Sequence, residues 1–144
     1  MKIIDTFVFY NELDILDLRL HELNNTVDYF ILVEAGKTYS NINKPYFFED
    51  NKERYQKFLH KIIHIKVEDM PERNFTTKTG HWDREHFQRN CIKRGLEKLE
   101  LQDSDIILMC DVDEIPSIDV INSNKNTING IFKLEMECYY YNIQ

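Results

Sequence analysis

Asp105-Ile-Ile-Leu-Met-Cys-Asp-Val-Asp-Glu-Ile-Pro116 is the stretch on which the reading of the fold turns. The apolar run from Ile106 to Cys110 is expected to be a buried strand that ends directly on Asp111. Residues two apart in extended backbone point the same way. Asp111 and Asp113 therefore present their carboxylates to one point, and Val112 turns into the core. Hard oxygen ligands of this kind suit Mg2+ or Mn2+, with positions left for water and phosphate oxygens. Such an ion neutralises charge developing on a departing nucleoside diphosphate. Glu114 adds a third carboxylate, on a residue whose side chain is expected to point away. In an acidic protein an isolated Asp-x-Asp is most often a solvated loop. Its place here, directly after an apolar strand and before Glu-Ile-Pro, strengthens the metal reading and leaves the solvated loop open beside it.

The elements upstream repeat the same grammar. Lys2 to Tyr10 is rich in β-branched and aromatic residues and predicts a strand, which Asn11-Glu12 ends. Leu13, Leu16, Leu20 and Leu23 recur at helical spacing before Asn24-Asn25 stops the helix. Tyr29 to Glu34 is nearly all apolar, like a strand covered on both faces. Residues 36–44 predict a polar loop, Asn51 to Leu59 a helix and Lys61 to Val67 a third strand. An irregular segment from Glu68 to about Gly80 leads into a long helix from His81 to Leu101. Ser117 caps a helical turn reaching Ile121, and a final strand runs from about Gly130 to Tyr141. Alternating strands and helices predict an α/β three-layer sandwich with a mainly parallel central sheet, as one domain over residues 1–144. Ligands of such sheets bind at the carboxyl ends of the strands. Asn11, Glu12, Glu34, Asp111 and Asp113 all follow a strand end, so they are expected to line one crevice.

Composition removes whole classes of function. A net charge of −7 and a pI near 5.2 argue against a nucleic-acid partner held through its phosphates. No apolar run is long enough to span a bilayer, and the N-terminus lacks a secretory signal, so no membrane segment and a cytoplasmic location are expected. Cys91, Cys110 and Cys138 show neither a C-x-x-C pair nor a disulfide framework, and buried, reduced thiols are expected. The sequons at Asn24 and Asn74 are then idle. With glycines at 4 in the whole chain, phosphate cradling by a glycine-rich loop is hardly available.

A second polar cluster is Trp82-Asp-Arg-Glu-His-Phe-Gln-Arg-Asn90. Arg84 and Gln88 share a helix face, and Arg89 lies further around it. A guanidinium fork near a helix start suits phosphate. Surface pairing of Arg84, Glu85 and Arg89 at helical spacing is the commoner outcome for such a pattern. Trp82 is an equal candidate for a core anchor, and His64, within a strand, is expected to be packed.

Taken together, five blocks resemble glycosyltransferase family 17 in order and approximate spacing. They are Phe7 to Leu23, Val33 to Ser40, Lys61 to Ile65, Trp82 to Asn90 and Asp111 to Pro116. The resemblance implies a GT-A-like (Rossmann-like) fold, a UDP-sugar donor, with UDP-N-acetylglucosamine the best guess, a divalent metal (Mn2+ or Mg2+), inversion at the anomeric carbon and a glycan acceptor. By position it makes Asp113 the direct metal ligand, with Asp111 reaching the metal or the ribose. Asn11, Glu12 and Glu34 fall where such enzymes contact the nucleoside, and Arg84 and Arg89 where they contact the donor or its diphosphate. Two departures qualify it. Animal members carry an N-terminal Golgi anchor that is not expected here, so Golgi residence and a glycoprotein acceptor do not carry over, and members continue well beyond the position of Gln144. An inverting enzyme needs a base for the acceptor hydroxyl. None of Asp119, Glu135 and Glu137 carries a base-like signature, so the catalytic base is unknown; a donor half is expected, in either a truncated chain or a natural short form. Apolar surface left uncovered would favour self-association. The competing readings are an inactive nucleotide-sugar-binding module and a HAD-type phosphohydrolase. The latter also places Asp-x-Asp after an apolar strand, but on its first strand.

Overall fold

The computed structural model describes residues 1–72 and 80–136. Its centre is β1, Ile3–Phe9, a strand buried almost throughout because it has a neighbour on each side and helices on both faces. β2 (Tyr29–Ala35), β3 (Ile62–Val67) and β4 (Ile106–Met109) complete a sheet in the order β3-β2-β1-β4. Every pairing is parallel: Ile4 to Phe9 opposes Tyr29 to Glu34, Phe30 to Ala35 opposes Ile62 to Val67, and Ile3 to Thr6 opposes Ile106 to Met109. Two aspartates fix where β1 starts. Asp28 accepts the Ile3 N–H at 2.8 Å and Asp105 accepts the Lys2 N–H at 2.6 Å.

Alternation along the strands sorts their side chains into two cores. Ile3, Phe7, Phe9, Phe30, Leu32, Ile106 and Leu108 join Leu16, Leu20 and Leu23 of α1 (Leu13–Leu23). On the opposite face Ile4, Ile31, Val33, Ile65 and Val67 pack on Cys91 and Ile92, the junction between α3 (Gly80–Asn90) and α4 (Ile92–Leu96). The result is a Rossmann-like α/β architecture, as the order of elements predicts.

Several elements depart from the sequence reading. The helix expected over 51–59 is instead α2 (Phe47–Asp50) followed by a 3-10 turn, Lys52–Tyr55. Asn51 interrupts them because its side-chain amide donates to the Phe47 carbonyl at 2.8 Å, competing with the backbone ladder. The long helix over 81–101 breaks at Cys91, whose N–H is shared between the Phe87 and Gln88 carbonyls at 3.1 Å each. α4 then runs so close to β2 that a Cβ on Gly95 would lie 2.4 Å from Ile31 Cγ2.

β4 is not buried on both faces. Ile106 and Leu108 point into the α1 core, whereas Ile107 and Met109 are 42% and 57% exposed. Among the described residues β4 is an edge strand, and α3 and α4 pack over β1, β2 and β3. Residues 131–136 form no strand, and Ile131 and Phe132 are exposed; the rest of the expected final strand lies outside the described residues. Ser117 does precede α5 (Ile118–Asn124), but its hydroxyl makes no capping bond. Trp82 is exposed rather than a core anchor. Cys91 and Cys110 are buried and free, as expected, and Cys138 lies outside the described residues. No helix among the described residues is long and apolar enough to cross a membrane.

Candidate active site

At the carboxyl ends of β1 and β4 opens a crevice of about 670 Å3. Tyr10 and Glu12 line it from the end of β1, Asp111, Val112 and Asp113 from the end of β4, and Glu85, Gln88 and Arg89 from α3. Residues 37–44 close it from the β2 side. The expected polar loop is a small hairpin: Lys37 bridges Asn43, the Thr38 N–H reaches the Ile42 carbonyl at 2.8 Å, and Lys44 returns to Gly36 at 3.0 Å. Asn41 makes its turn with φ 67°, a left-handed conformation that asparagine tolerates.

The turn carrying the acidic pair is held from inside. Val112 is buried, as expected, but residues 112 and 113 form a turn, not the extended backbone expected to aim Asp111 and Asp113 the same way. The Asp111 N–H donates to Glu114 Oε2 at 2.9 Å and the Glu114 N–H to the Asp111 carbonyl at 3.0 Å, so Glu114 braces the turn. Beneath it lies Arg19, fully buried on α1. Its Nε and Nη2 grip both oxygens of Asp5 at 2.7 Å. Its Nη1 donates to the carbonyls of Asp111, Val112 and Glu114 at 2.9, 3.0 and 2.8 Å. Burial works against the Arg19 charge, but hydrogen bonding and attraction to Asp5 outweigh it, so the guanidinium is held protonated. Sequence reasoning missed this pair. The signal was there: Asp5 interrupts an apolar strand, and Arg19 sits on the same helix face as Leu16, Leu20 and Leu23.

Of the residues expected at the site, Asp111, Asp113, Glu12 and Arg89 do meet in the crevice. Arg89 Nη2 lies 2.8 Å from Asp111 Oδ1 and 3.4 Å from Glu85 Oε1. The Glu12 carboxylate accepts the N–H groups of Tyr10 and Asn11 at 3.1 and 3.0 Å, shaping the turn into α1. Asn11 itself lines a smaller groove of about 410 Å3 beside the crevice, with Asp14 and Arg54.

Glu34 and Arg84 stand elsewhere. Glu34 is fully buried on the face that α2 covers, accepting the Phe48 N–H at 3.2 Å and facing His64 Nε2 at 3.1 Å. It reaches the crevice only through Lys44, whose amine is 3.6 Å from Glu34 Oε1. A one-residue parity difference puts its side chain inside the protein. Arg84 is also fully buried and donates to the carbonyls of Thr38, at 3.0 Å, and Pro71. It positions the hairpin. His64 is packed, as expected, between Glu34 and Glu49.

The hairpin contributes chemistry the sequence did not advertise. Burial, with the negative charge of Glu85, pushes the Tyr39 hydroxyl up to about 12, so it remains a neutral donor. Lys44 lies 5.2 Å from the ring centres of both Tyr10 and Phe47, and its burial lowers its pKa against the pull of Glu34. Lys37 and Lys44 line the crevice with Glu12, Glu85, Asp111 and Asp113; Lys37 pairs with Glu72 at 3.1 Å, and Arg89 with Asp111 and Glu85. Among the described residues, no group of three or more His, Cys, Asp or Glu side chains could enclose a metal ion. Asp111 and Asp113 line the same crevice, and two carboxylates are the number used where a substrate's phosphates share the ion.

The family model described as Glycosyltransferase family 17 matches residues 1–144. The chain belongs to glycosyltransferase family 17. Curated relatives include the rat, human and mouse proteins named β-1,4-mannosyl-glycoprotein 4-β-N-acetylglucosaminyltransferase. Each is 25% identical over 122 residues, covering 82% of this chain and 22% of the relative. The chain thus spans 22% of the length of the curated relatives it matches. No solved structure gives a significant match. Family 17 membership removes the phosphohydrolase reading, and the motif follows the fourth of the described strands, not the first.

Proposed function

We propose that this chain forms the donor-binding portion of a metal-dependent, inverting glycosyltransferase, with UDP-N-acetylglucosamine as donor and a glycan as acceptor. The observation that carries the reading is the convergence of Asp111, Asp113 and Arg89 at one strand-end crevice. Asp111 and Asp113 would hold Mn2+ or Mg2+, which supplies charge neutralisation on the departing diphosphate. Around it, the chain's own residues bind and orient. Arg89 offers a planar fork to phosphate oxygens, Lys37 and Lys44 add positive charge, and the neutral Tyr39 hydroxyl donates a hydrogen bond. Glu12 and Tyr10 frame the nucleoside end.

A second reading, a binding module without transfer, draws support from the crevice carboxylates. Glu12 is engaged by backbone N–H groups and Glu85 by Arg89, leaving neither placed as a base for an acceptor hydroxyl. One experiment separates the two. With UDP-N-acetylglucosamine, Mn2+ and a mannose-containing oligosaccharide, the enzyme reading expects acceptor-dependent release of UDP. Donor bound without UDP release selects the module, and no donor binding under any condition sinks both.

A further inference from the structure

The Asp111 carboxylate is already claimed by an arginine. Arg89 Nη2 lies 2.8 Å from Asp111 Oδ1, and the same nitrogen lies 3.4 Å from Glu85 Oε1. We infer that Arg89 is a metal-displaced anion clamp: a divalent cation evicts it from Asp111, and its freed fork takes the diphosphate that arrives with the cation. This rests on the metal and donor reading given above.

Three features carry the inference. The first is competition. A guanidinium and a divalent cation repel one another, so a cation on Asp111 weakens the Arg89 contact there, and Arg89 equally weakens the cation. The second is freedom to move. The Arg89 side chain is 29% exposed and its partners are both carboxylates at the crevice wall. Arg19, by contrast, is fully enclosed and bound on every side. The third is a tether on a fixed platform. Glu85 lies one helical turn before Arg89 on α3, keeping the released guanidinium beside the crevice. α3 itself is anchored by Gln88, which donates to the Val33 carbonyl at 3.0 Å, and by Arg84 on the hairpin. In an acidic crevice this arrangement stores a positive charge against Asp111 and redeploys it once the metal has replaced it.

The clamp predicts effects of opposite sign from a single substitution, which a structural role would not give. Mn2+ binding alone is measured by electron paramagnetic resonance of the free ion, and UDP binding by titration calorimetry at saturating Mn2+. In Arg89→Gln, the Mn2+ dissociation constant is expected to fall about two- to fivefold, the range of an exposed ion pair. UDP affinity is expected to drop about tenfold or more, the worth of a charge-assisted bond to phosphate. Arg89→Lys should lie between the two on both scales, since it keeps the charge and loses the fork. Weaker or unchanged Mn2+ binding in Arg89→Gln would mean that Arg89 orients Asp111 for the metal rather than competing with it, and overturns the clamp. Unchanged UDP affinity overturns it as well. Asp113→Ala identifies the other failure: if it binds Mn2+ as well as wild type, the metal reading falls and takes the clamp with it.

Discussion

Arg19 and Asp5 form a buried, two-pronged ion pair at 2.7 Å, and the third nitrogen of Arg19 holds the backbone of the acidic turn. The pair thus links the middle of β1 to the tip of β4 through α1. Removing one partner from such a pair strands the other charge in the core, at a cost of about 3–5 kcal/mol. Arg19→Leu is therefore expected to lower the urea midpoint severely. Replacing both, as Asp5→Leu with Arg19→Met, should restore much of the stability. The carbonyls of Asp111, Val112 and Glu114 would still lack their donor, so UDP binding with Mn2+ should remain impaired in the double variant. Full binding in a folded double variant would contradict the positioning role.

Gly95 tests the packing of α4 on the sheet. A Cβ there meets Ile31 Cγ2 at 2.4 Å, with the rest of that side chain close behind. Gly95→Ala is expected to destabilise by about 1–3 kcal/mol, the usual range for overpacking, despite alanine's better helix propensity. Combining it with Ile31→Ala should recover part of the loss in a double-mutant cycle. Simple additivity would show that the two sites do not meet.

Stability should fall at high pH in a defined window. Burial pushes the Tyr55 hydroxyl from 10.0 up to about 12, and Tyr39 moves the same way to about 12. Between these values the unfolded chain loses the tyrosine proton while the folded chain keeps it. The unfolded state then binds fewer protons, so stability is fully present below about pH 10 and is lost as the pH rises towards 12. Urea midpoints across this range, with tyrosinate absorbance of the folded protein, check it. Ionisation of every tyrosine near its ordinary value without unfolding would contradict the burial of these two.

Arg84 separates a structural role from a ligand role. Arg84→Leu removes the donor to the half-buried Thr38 and Pro71 carbonyls, at about 0.5–1.5 kcal/mol for each bond. Its denaturant midpoint should drop, with UDP affinity changing only through the hairpin. A large loss of UDP affinity at unchanged stability would place Arg84 on the ligand.

Exposed Ile107 and Met109 give the β4 edge an apolar face, and we expect concentration-dependent self-association through it. Sedimentation should show larger species at high concentration, reduced by Ile107→Lys with Met109→Lys. A clean monomer at high concentration counts against it.

The parts of this fold that the sequence disclosed are those set by local pattern. β1, β2, β3 and α1 stand within a residue or two of their expected bounds, because β-branched runs and a leucine period act over a few neighbours. The interruptions were hidden because their causes lie in geometry, such as the Asn51 amide bonding Phe47 or Gly95 meeting Ile31 across the layers. The exposed face of β4 depends on which helices cover it, which periodicity does not report. Strand ends did bring Glu12, Asp111 and Asp113 to one crevice. The same rule gave Glu34 the right address, but side-chain parity turned it inward. Asp5 and Arg19 were legible only as polar residues in apolar company, a pattern that identifies a buried pair without saying what it supports.

The central claim is that Asp111 and Asp113 bind a metal that in turn binds a nucleoside diphosphate, and calorimetric titration of UDP with and without Mn2+ tests it most directly. The account predicts heat of binding that requires Mn2+ in the wild-type chain and disappears in a folded Asp113→Ala variant. UDP binding that ignores both Mn2+ and Asp113, or no binding to the wild-type chain at all, would contradict it.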